Sequence, residues 1–272
     1  NMMRSLWTAA SGMKTQQTTV DVIANNLANV NTAAYKTEEA EFKNLLYQTI
    51  QAKTTTKNGE AKPVGAQVGL GVRNSAITSI FRQGNFSATE NTFDFAINGK
   101  GFFRVQGADG GTYYTRNGSF RISMARTGTM LTDQEGRPVL DTNGRTIVFD
   151  SSLDTAKITV STTGELCYPD DSGNPAGMGI TLSLVQFPNP AGLYKEGSGL
   201  YKETDASGAP KMEGEDKELT RSELRQGYIE ASNVQVADEM VDLIIAQRAY
   251  EMNSKAIQAS DDMLSQANQL RR

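Results

Sequence analysis

This chain withholds several of the residue types on which protein chemistry depends. It has no histidine and a single cysteine, Cys167. The commonest catalytic base and metal ligand is therefore missing, and an internal disulfide is impossible. What remains is carboxylates, amides and glycines. The pairs Glu38-Glu39 and Asp261-Asp262 are adjacent in sequence, so on a helix they point in different directions and make no acid–base couple. Asp94 stands between Phe93 and Phe95, where burial would raise its pKa, but strand alternation favours a carboxylate that faces solvent. Asp170-Asp171-Ser172-Gly173-Asn174 is rich in oxygen yet lacks the alternating ligands and closing Glu of a calcium loop, and reads as a solvated turn. Gly65, Gly69, Gly71 and the run Asn98-Gly99-Lys100-Gly101 invite a phosphate-loop reading. There Lys100 is followed by Gly rather than Ser or Thr and neither stretch opens a helix, so turns and close-packed backbone explain them better. Neither a metal nor a cofactor is expected, and the chain reads as a non-enzyme.

The amides are more suggestive. Asn25, Asn26, Asn29 and Asn31 cluster in DVIANNLANVNT. One reading is a polar helix face followed by a cap; the other is a set of side chains that hydrogen-bond neighbouring helices and fix their register, as a buried Asn does in a coiled coil. Trp7, the sole tryptophan, reads equally as an interface anchor or a core aromatic.

Two elements must position these residues. From Ser232 to Leu270 the chain contains neither proline nor glycine and consists mostly of good helix formers. Ser232 is placed to cap its first turn, with Gln235 three residues on where a capping box wants Glu or Gln. One apolar seam runs through Ile245, Ala249, Met252, Ala256, Ala259, Met263 and Leu270. A second, through Val236, Met240, Leu243, Tyr250, Ile257 and Leu264, is interrupted by Gln247, Ser254 and Asp261. At about 1.5 Å per residue this helix would be roughly 60 Å long. Leu6, Ala9, Met13, Gln16, Val20, Ile23, Leu27 and Val30 repeat the three-four spacing at the other end and predict a helix over residues 5–30. Each such side chain left in water forgoes roughly 1.5–3 kcal/mol. Even paired with each other, two wide apolar faces leave surface uncovered, which points to association between chains.

Between the helices the pattern changes. Residues 36–50 suit a short helix or an extended segment, and 52–71, rich in Thr, Lys and Gly, read as a long loop or arm. Val72–Ile80 alternates as a strand. From Phe93 to Phe187, short β-branched and aromatic runs are punctuated by Asp109-Gly110-Gly111, Asn117-Gly118, Glu135-Gly136, Asn143-Gly144 and Thr163-Gly164. Tyr113, Tyr114, Phe120 and Ile122 flank Asn117-Gly118 as a hairpin would. Residues 168–179 read as a polar loop, Ile180–Phe187 as one buried strand, and Leu224–Ile229 as the entry to the long helix. The expected class is α+β, with a coiled-coil-like module of 1–35 and 230–272, an arm over 36–92, and an all-β domain, a hairpin-rich sandwich or partly closed barrel, over 93–229.

At 272 residues the chain can bury a substantial core, and its net charge of −4 leaves no basic footprint for nucleic acid or a membrane surface. No apolar run approaches the roughly 20 residues a membrane-spanning helix needs. One arginine and a short apolar patch at Leu6–Ala10 do not make a secretory signal, so work outside the cytoplasm implies another exit route. Met2 reads as the native start.

The words themselves carry a resemblance. ANNLANVNTAAYK, Ala24–Lys36, resembles the N-terminal signature of the bacterial flagellar rod and hook family, and GYIEASNVQVADEMVDLIIAQRAYEMNSKAIQASDDML, Gly227–Leu264, is similar to its C-terminal signature. AINGKGFFRV, Ala96–Val105, looks like the strand that opens that family's β-domain. PVGAQVGLGVR, Pro63–Arg73, resembles the family's distal rod members more than its hook or proximal rod members. The resemblance implies a non-enzymatic axial subunit that stacks helically with copies of itself, the terminal helices lining an export channel. It implies delivery by the flagellar type III export apparatus, a rod crossing the periplasm inside periplasmic and outer-membrane bushing rings, and proximal rod subunits and hook protein as neighbours. Residues 51–67 fall where distal rod members are longer than hook proteins.

On this reading Leu6, Trp7, Met13, Val20, Ile23 and Leu27, with Met240, Leu243, Tyr250, Ile257 and Leu264, carry assembly, while Asn25, Asn26, Asn29, Ser232 and Asn233 set register or caps. The alternatives are the hook protein or another rod subunit of the same family. A rival of another class is an oligomeric surface glycan-processing enzyme, which would need a cleft with two convergent carboxylates.

Overall fold

The computed structural model describes residues 2–51, 66–125, 128–150, 152–170, 172–214 and 219–269. The chain forms two compact units, one of Asn1–Ala28, Glu38–Ser79 and Gln235–Arg272, the other of Asn29–Thr37 and Ile80–Val234.

The first unit is built on the two terminal helices. Helix α1 spans Met2–Ala28 and α2 spans Val236–Gln269. They run antiparallel, so that Ser5 meets Ser260 at one end and Asn26 meets Glu239 at the other. Strand β1 (Glu38–Asn44) pairs antiparallel with β4 (Val72–Ser79), and β2 (Tyr47–Gln51) with β3 (Ala66–Gly69), giving a long two-stranded ribbon. The glutamate-rich sequence of β1 has little strand propensity of its own. Helix α1 captures its end instead: the Asn26 side chain accepts from the Glu38 N–H and donates to the Glu38 carbonyl, both at 2.9 Å. Further along, the Val72 N–H donates to Ser11 Oγ at 3.3 Å and Asn74 Nδ2 donates to Thr18 Oγ1 at 2.6 Å. Thr15 and Val22, on the same helical stripe, are buried. Residues 36–50 are thus largely extended. The expected arm ends in β3, and its 52–65 part lies outside the described residues.

Among its described residues the second unit is β-structure apart from two short 3-10 helices, Thr155–Lys157 and Pro190–Gly192. Its largest sheet has six antiparallel strands. At its centre are β5 (Phe102–Gln106) and β6 (Thr112–Thr115), joined by the Asp109-Gly110-Gly111 turn. Next to β5 come Leu184–Gln186 and Lys211–Met212; next to β6 come Leu200–Lys202 and Tyr194–Gly197. Smaller ladders join Arg121–Ala125 to Gly128–Thr132, and Glu165–Pro169 to Pro175–Thr181. Phe95, Ile97, Phe103, Val105, Phe120, Leu131, Ile147, Phe149, Leu166 and Leu182 make a dry core, each worth roughly 1.5–3 kcal/mol. A second aromatic cluster of Phe102, Tyr114, Phe187 and Tyr201 lies on another face of the large sheet, with Phe102 and Phe187 edge to face at 5.6 Å.

Several sequence expectations are corrected here. Asn117-Gly118 closes no hairpin: Thr112–Thr115 pairs within the large sheet and Arg121–Ala125 pairs with Gly128–Thr132. Gly118 is there because backbones touch; a Cβ on it would lie 1.8 Å from the Phe95 carbonyl oxygen. Residues 168–179 are mostly a hairpin, and at its end the Asp170 N–H donates to the Asn174 carbonyl at 2.9 Å. Ile180–Phe187 is divided between two strands. Leu224–Ile229 does not enter the helix: Glu223–Gln226 pairs with Phe95–Asn98, and Tyr228–Glu230 with Phe86–Ala88. Asp94 is buried rather than facing solvent, and accepts from Asn91 Nδ2 at 3.1 Å.

Candidate assembly interface

The α1–α2 seam has a register that an apolar pattern search does not reveal. Ser5 Oγ lies 3.3 Å from Ser260 Oγ, a Cβ on Gly12 would lie 2.9 Å from Asn253 Nδ2, and Asn26 donates to Glu239. These contacts fall at multiples of seven residues on both helices, with Thr19 and Ala246 occupying the missing step. Ala246, Ser260 and Glu239 are buried. One line of the seam is therefore small or polar. The other line on α2, Leu243, Tyr250, Ile257 and Leu264, also repeats every seven residues and is apolar.

Of the side chains expected to carry assembly, Ile23 is buried and Leu6, Met13, Val20, Leu27, Leu243, Ile257 and Leu264 are half-buried. Tyr250 is more open and, with Gln17, Val20, Gln247 and Glu251, lines a shallow groove of about 340 Å³ on the helix pair. Trp7 is 73 % exposed and Met240 is also exposed. The seam expected through Ile245, Met252 and Met263 lies in the open, Ile245 at 60 % and Met252 at 65 %. Val241 and Ile244 are exposed as well. Helix α2 thus presents an apolar surface that its own unit does not cover.

The amide residues divide by role. Asn26 is buried; its Nδ2 lies 3.2 Å from each Glu239 carboxylate oxygen while its other bonds hold Glu38. Burial raises the Glu239 pKa above the ordinary 4.5, the Asn26 hydrogen bond opposes this, and Asp242 and Asp238 add to the rise. Asn25 is exposed and reaches Glu38 Oε2 at 3.5 Å. Asn29 follows α1, its carbonyl accepting from the Thr32 N–H at 3.1 Å. Ser232 does not cap α2, which begins at Val236; its Oγ accepts from the Val234 N–H at 3.3 Å. Asn233 is likewise outside the helix. Its Oδ1 accepts from the Thr37 N–H and hydroxyl at 2.8 Å, and its Nδ2 donates to the Ile80 and Arg82 carbonyls.

Sequence reasoning missed a buried ionic knot in the second unit. Glu230 receives Lys36 Nζ at 2.5 Å, Arg116 Nε at 2.9 Å and the Gly84 N–H at 2.9 Å. Arg116 also donates to the Gly99 and Gly101 carbonyls at 2.9 Å, and Lys36 to the Arg82 carbonyl at 2.7 Å. The Lys36 and Glu230 side chains are wholly buried. Desolvation first, and the Arg116 charge second, hold the Lys36 pKa below its ordinary value, while Glu230 pulls it back up. The Asn98–Gly101 turn has no phosphate-loop character: its Gly99 and Gly101 N–H groups are taken by Gln83 and Ser222. Among the described residues no cluster of carboxylates and thiols is arranged to hold a metal, and no helix is long and apolar enough to cross a membrane.

Three family models match the chain: flagella basal body rod protein over residues 6–36, flagellar hook protein FlgE/F/G D1 domain over 96–168, and flagellar basal body rod FlgEFG protein C-terminal over 225–270. The chain is 45 % identical over 278 residues to the flagellar basal-body rod protein FlgG of Borreliella burgdorferi, covering 100 % of both chains. It is 41 % identical over 267 residues to that of Agrobacterium fabrum, covering 97 % of each. The Bacillus subtilis FlgG is 36 % identical over 271 residues, covering 100 % of both. Asn26, Lys36, Glu230 and Glu239 all fall inside the two terminal matches, whose residues meet in these buried contacts.

Proposed function

Because the chain belongs to the flagellar basal-body rod protein family typified by FlgG, we propose that it is a distal rod subunit that polymerises helically into a rigid hollow shaft. It works as a structural protein of the basal body, transmitting torque to the hook and enclosing the export channel. Proximal rod subunits, hook protein and the bushing rings are its neighbours, and the type III export apparatus delivers it without a cleaved signal peptide. Residues 1–35 and 230–272 act as the assembly module, 36–92 as an arm, and 93–229 as the outer β-domain, a hairpin-rich sandwich or partly closed barrel. Helices α1 and α2 act as a coiled-coil-like pair.

The observation that carries this reading is the uncovered apolar surface of α2, with Ile245 and Met252 largely exposed. Covering each such side chain gains roughly 1.5–3 kcal/mol, and a stripe that packs against a different surface of the next copy makes a heterologous contact, the kind that builds an open helical filament. Val20 and Tyr250 line the groove on the helix pair and Trp7 and Met240 are exposed; with Leu6, Met13 and Leu27 they are assigned to the same contacts. Met252→Asp tests this by sedimentation and electron microscopy of the full chain. The expected outcome is loss of tubes at concentrations where the unaltered chain forms them, with the helical circular dichroism retained. Leu243→Asp, by contrast, strikes the intramolecular seam and should lower the helical signal too. Tubes formed equally well by Met252→Asp would overturn the assignment of this face.

A further inference from the structure

We propose that Glu239 and Asn26 form a proton-sensitive clasp that makes pairing of the two terminal helices tighter in mild acid and weaker as pH rises. The inference does not depend on the rod reading, since it concerns one chain.

The geometry is that of a carboxylate closed in at the end of a seam. Glu239 is 9 % exposed, and both its oxygens lie 3.2 Å from a single amide nitrogen, Asn26 Nδ2. That nitrogen also serves the Glu38 carbonyl at 2.9 Å, so one –NH2 group with two protons is shared among three acceptor oxygens. The charges that act on Glu239 are like charges, Asp242 and Asp238 of α2 itself; from β1, the Glu38 carboxylate reaches Asn25 beside the clasp at 3.5 Å. Helix α1 contributes the neutral amides Asn25 and Asn26. Among the described residues no cation forms an ion pair with Glu239. A buried carboxylate among carboxylates favours its neutral form, and a protonated Glu239 would also turn one acceptor into a donor.

The sign follows from linkage. A carboxyl whose folded-state pKa lies above its unfolded value stabilises pairing fully below the unfolded value, here about 4.5, and that stability is lost as pH rises through the folded-state value. Asn26 holds the β1 backbone as well as α2, so tightening the clasp tightens the whole first unit.

The test is urea unfolding of the full chain, kept dilute and confirmed monomeric by sedimentation, followed through the far-ultraviolet helical signal. Among the described residues the only α-helices are α1 and α2, so this signal reports the pair. From about pH 4.5 to 7.5 the pairing constant should fall roughly twofold or more. Glu239→Gln, which keeps an amide in place of the acid, should flatten that dependence. Asp242→Asn, which leaves Glu239 in place, should move it to lower pH. Near-ultraviolet tyrosine signals from the second unit separate this effect from general acid unfolding. A flat profile for the unaltered chain, no helical signal at any pH, or an unchanged slope in Glu239→Gln would each overturn the proposal.

Discussion

Replacing Glu230 by Gln keeps the shape of the side chain and removes its charge at the centre of the ionic knot. Three donors converge on that carboxylate, from Lys36, Arg116 and the Gly84 amide. Arg116 keeps the Gly99 and Gly101 carbonyls, and Lys36 keeps the Arg82 carbonyl. Two buried cations would then stand without an anion. Breaking a buried pair by removing one partner costs about 3–5 kcal/mol, a large share of the roughly 5–15 kcal/mol that holds a domain folded. Lys36→Met is the informative contrast, since it removes the surplus cation and leaves Arg116 balanced against Glu230. Its expected cost is about 1.5–3 kcal/mol, the loss of hydrogen bonds to a charged group. Urea unfolding followed by the near-ultraviolet signal of the tyrosines measures both, because seven of the nine tyrosines lie in the second unit. The Lys36 pKa is already depressed by desolvation, so in the folded state it sheds its proton before the unfolded chain does. Stability gained that way rises with pH through the folded-state value, and Glu230→Gln should steepen the rise. A cost below about 1 kcal/mol for Glu230→Gln, or a larger cost for Lys36→Met, would refute the account of charge balance given for the knot.

Gly118→Ala should destabilise the second unit by about 3 kcal/mol or more, since its Cβ would meet the Phe95 carbonyl, a backbone atom unable to swing aside; the same urea experiment reads the loss. Tyr114, buried in the second aromatic cluster, has its pKa pushed up to about 12, first by burial and then by the nearby Glu203. An ultraviolet absorbance titration should show one tyrosine ionising well after the exposed ones, and Tyr114→Phe should remove that late step.

Much of the architecture was legible because it depends on patterns that a single chain displays. The helices were read to within a few residues, and Asp109-Gly110-Gly111 and Thr163-Gly164 stand at turns between paired strands, as their chemistry demands. The failures share a cause, which is that the deciding partner is remote in sequence. β1 is extended because Asn26 and β4 hold it, against the preference of a glutamate-rich segment. Glu223–Gln226 is a strand because Phe95–Asn98 offers a free edge. The small, polar line of α2, Glu239, Ala246, Asn253 and Ser260, gave no apolar signal, although the Leu243, Tyr250, Ile257 and Leu264 line beside it stood out as a seven-residue repeat. Lys36, Arg116 and Glu230 gave no local signal; only their meeting in space distinguishes them from surface charges.

No two of the three observed levels of that small, polar line are alike: serine faces serine, asparagine fits against glycine, and amide clasps acid. Suppose one helix slid along the other by seven residues. In one direction Asn253 would arrive opposite Thr19, with a side chain where the Gly12 gap had been, and Glu239 would overhang the end of α1. In the other, Asn26 would overhang the start of α2, and Gly12 would open a void against Ala246. Each misalignment spoils at least two levels at once. The pairing therefore indexes itself, as a key admits only one depth of insertion, and a chain that closes its helices carries its own measure of whether it has closed them correctly.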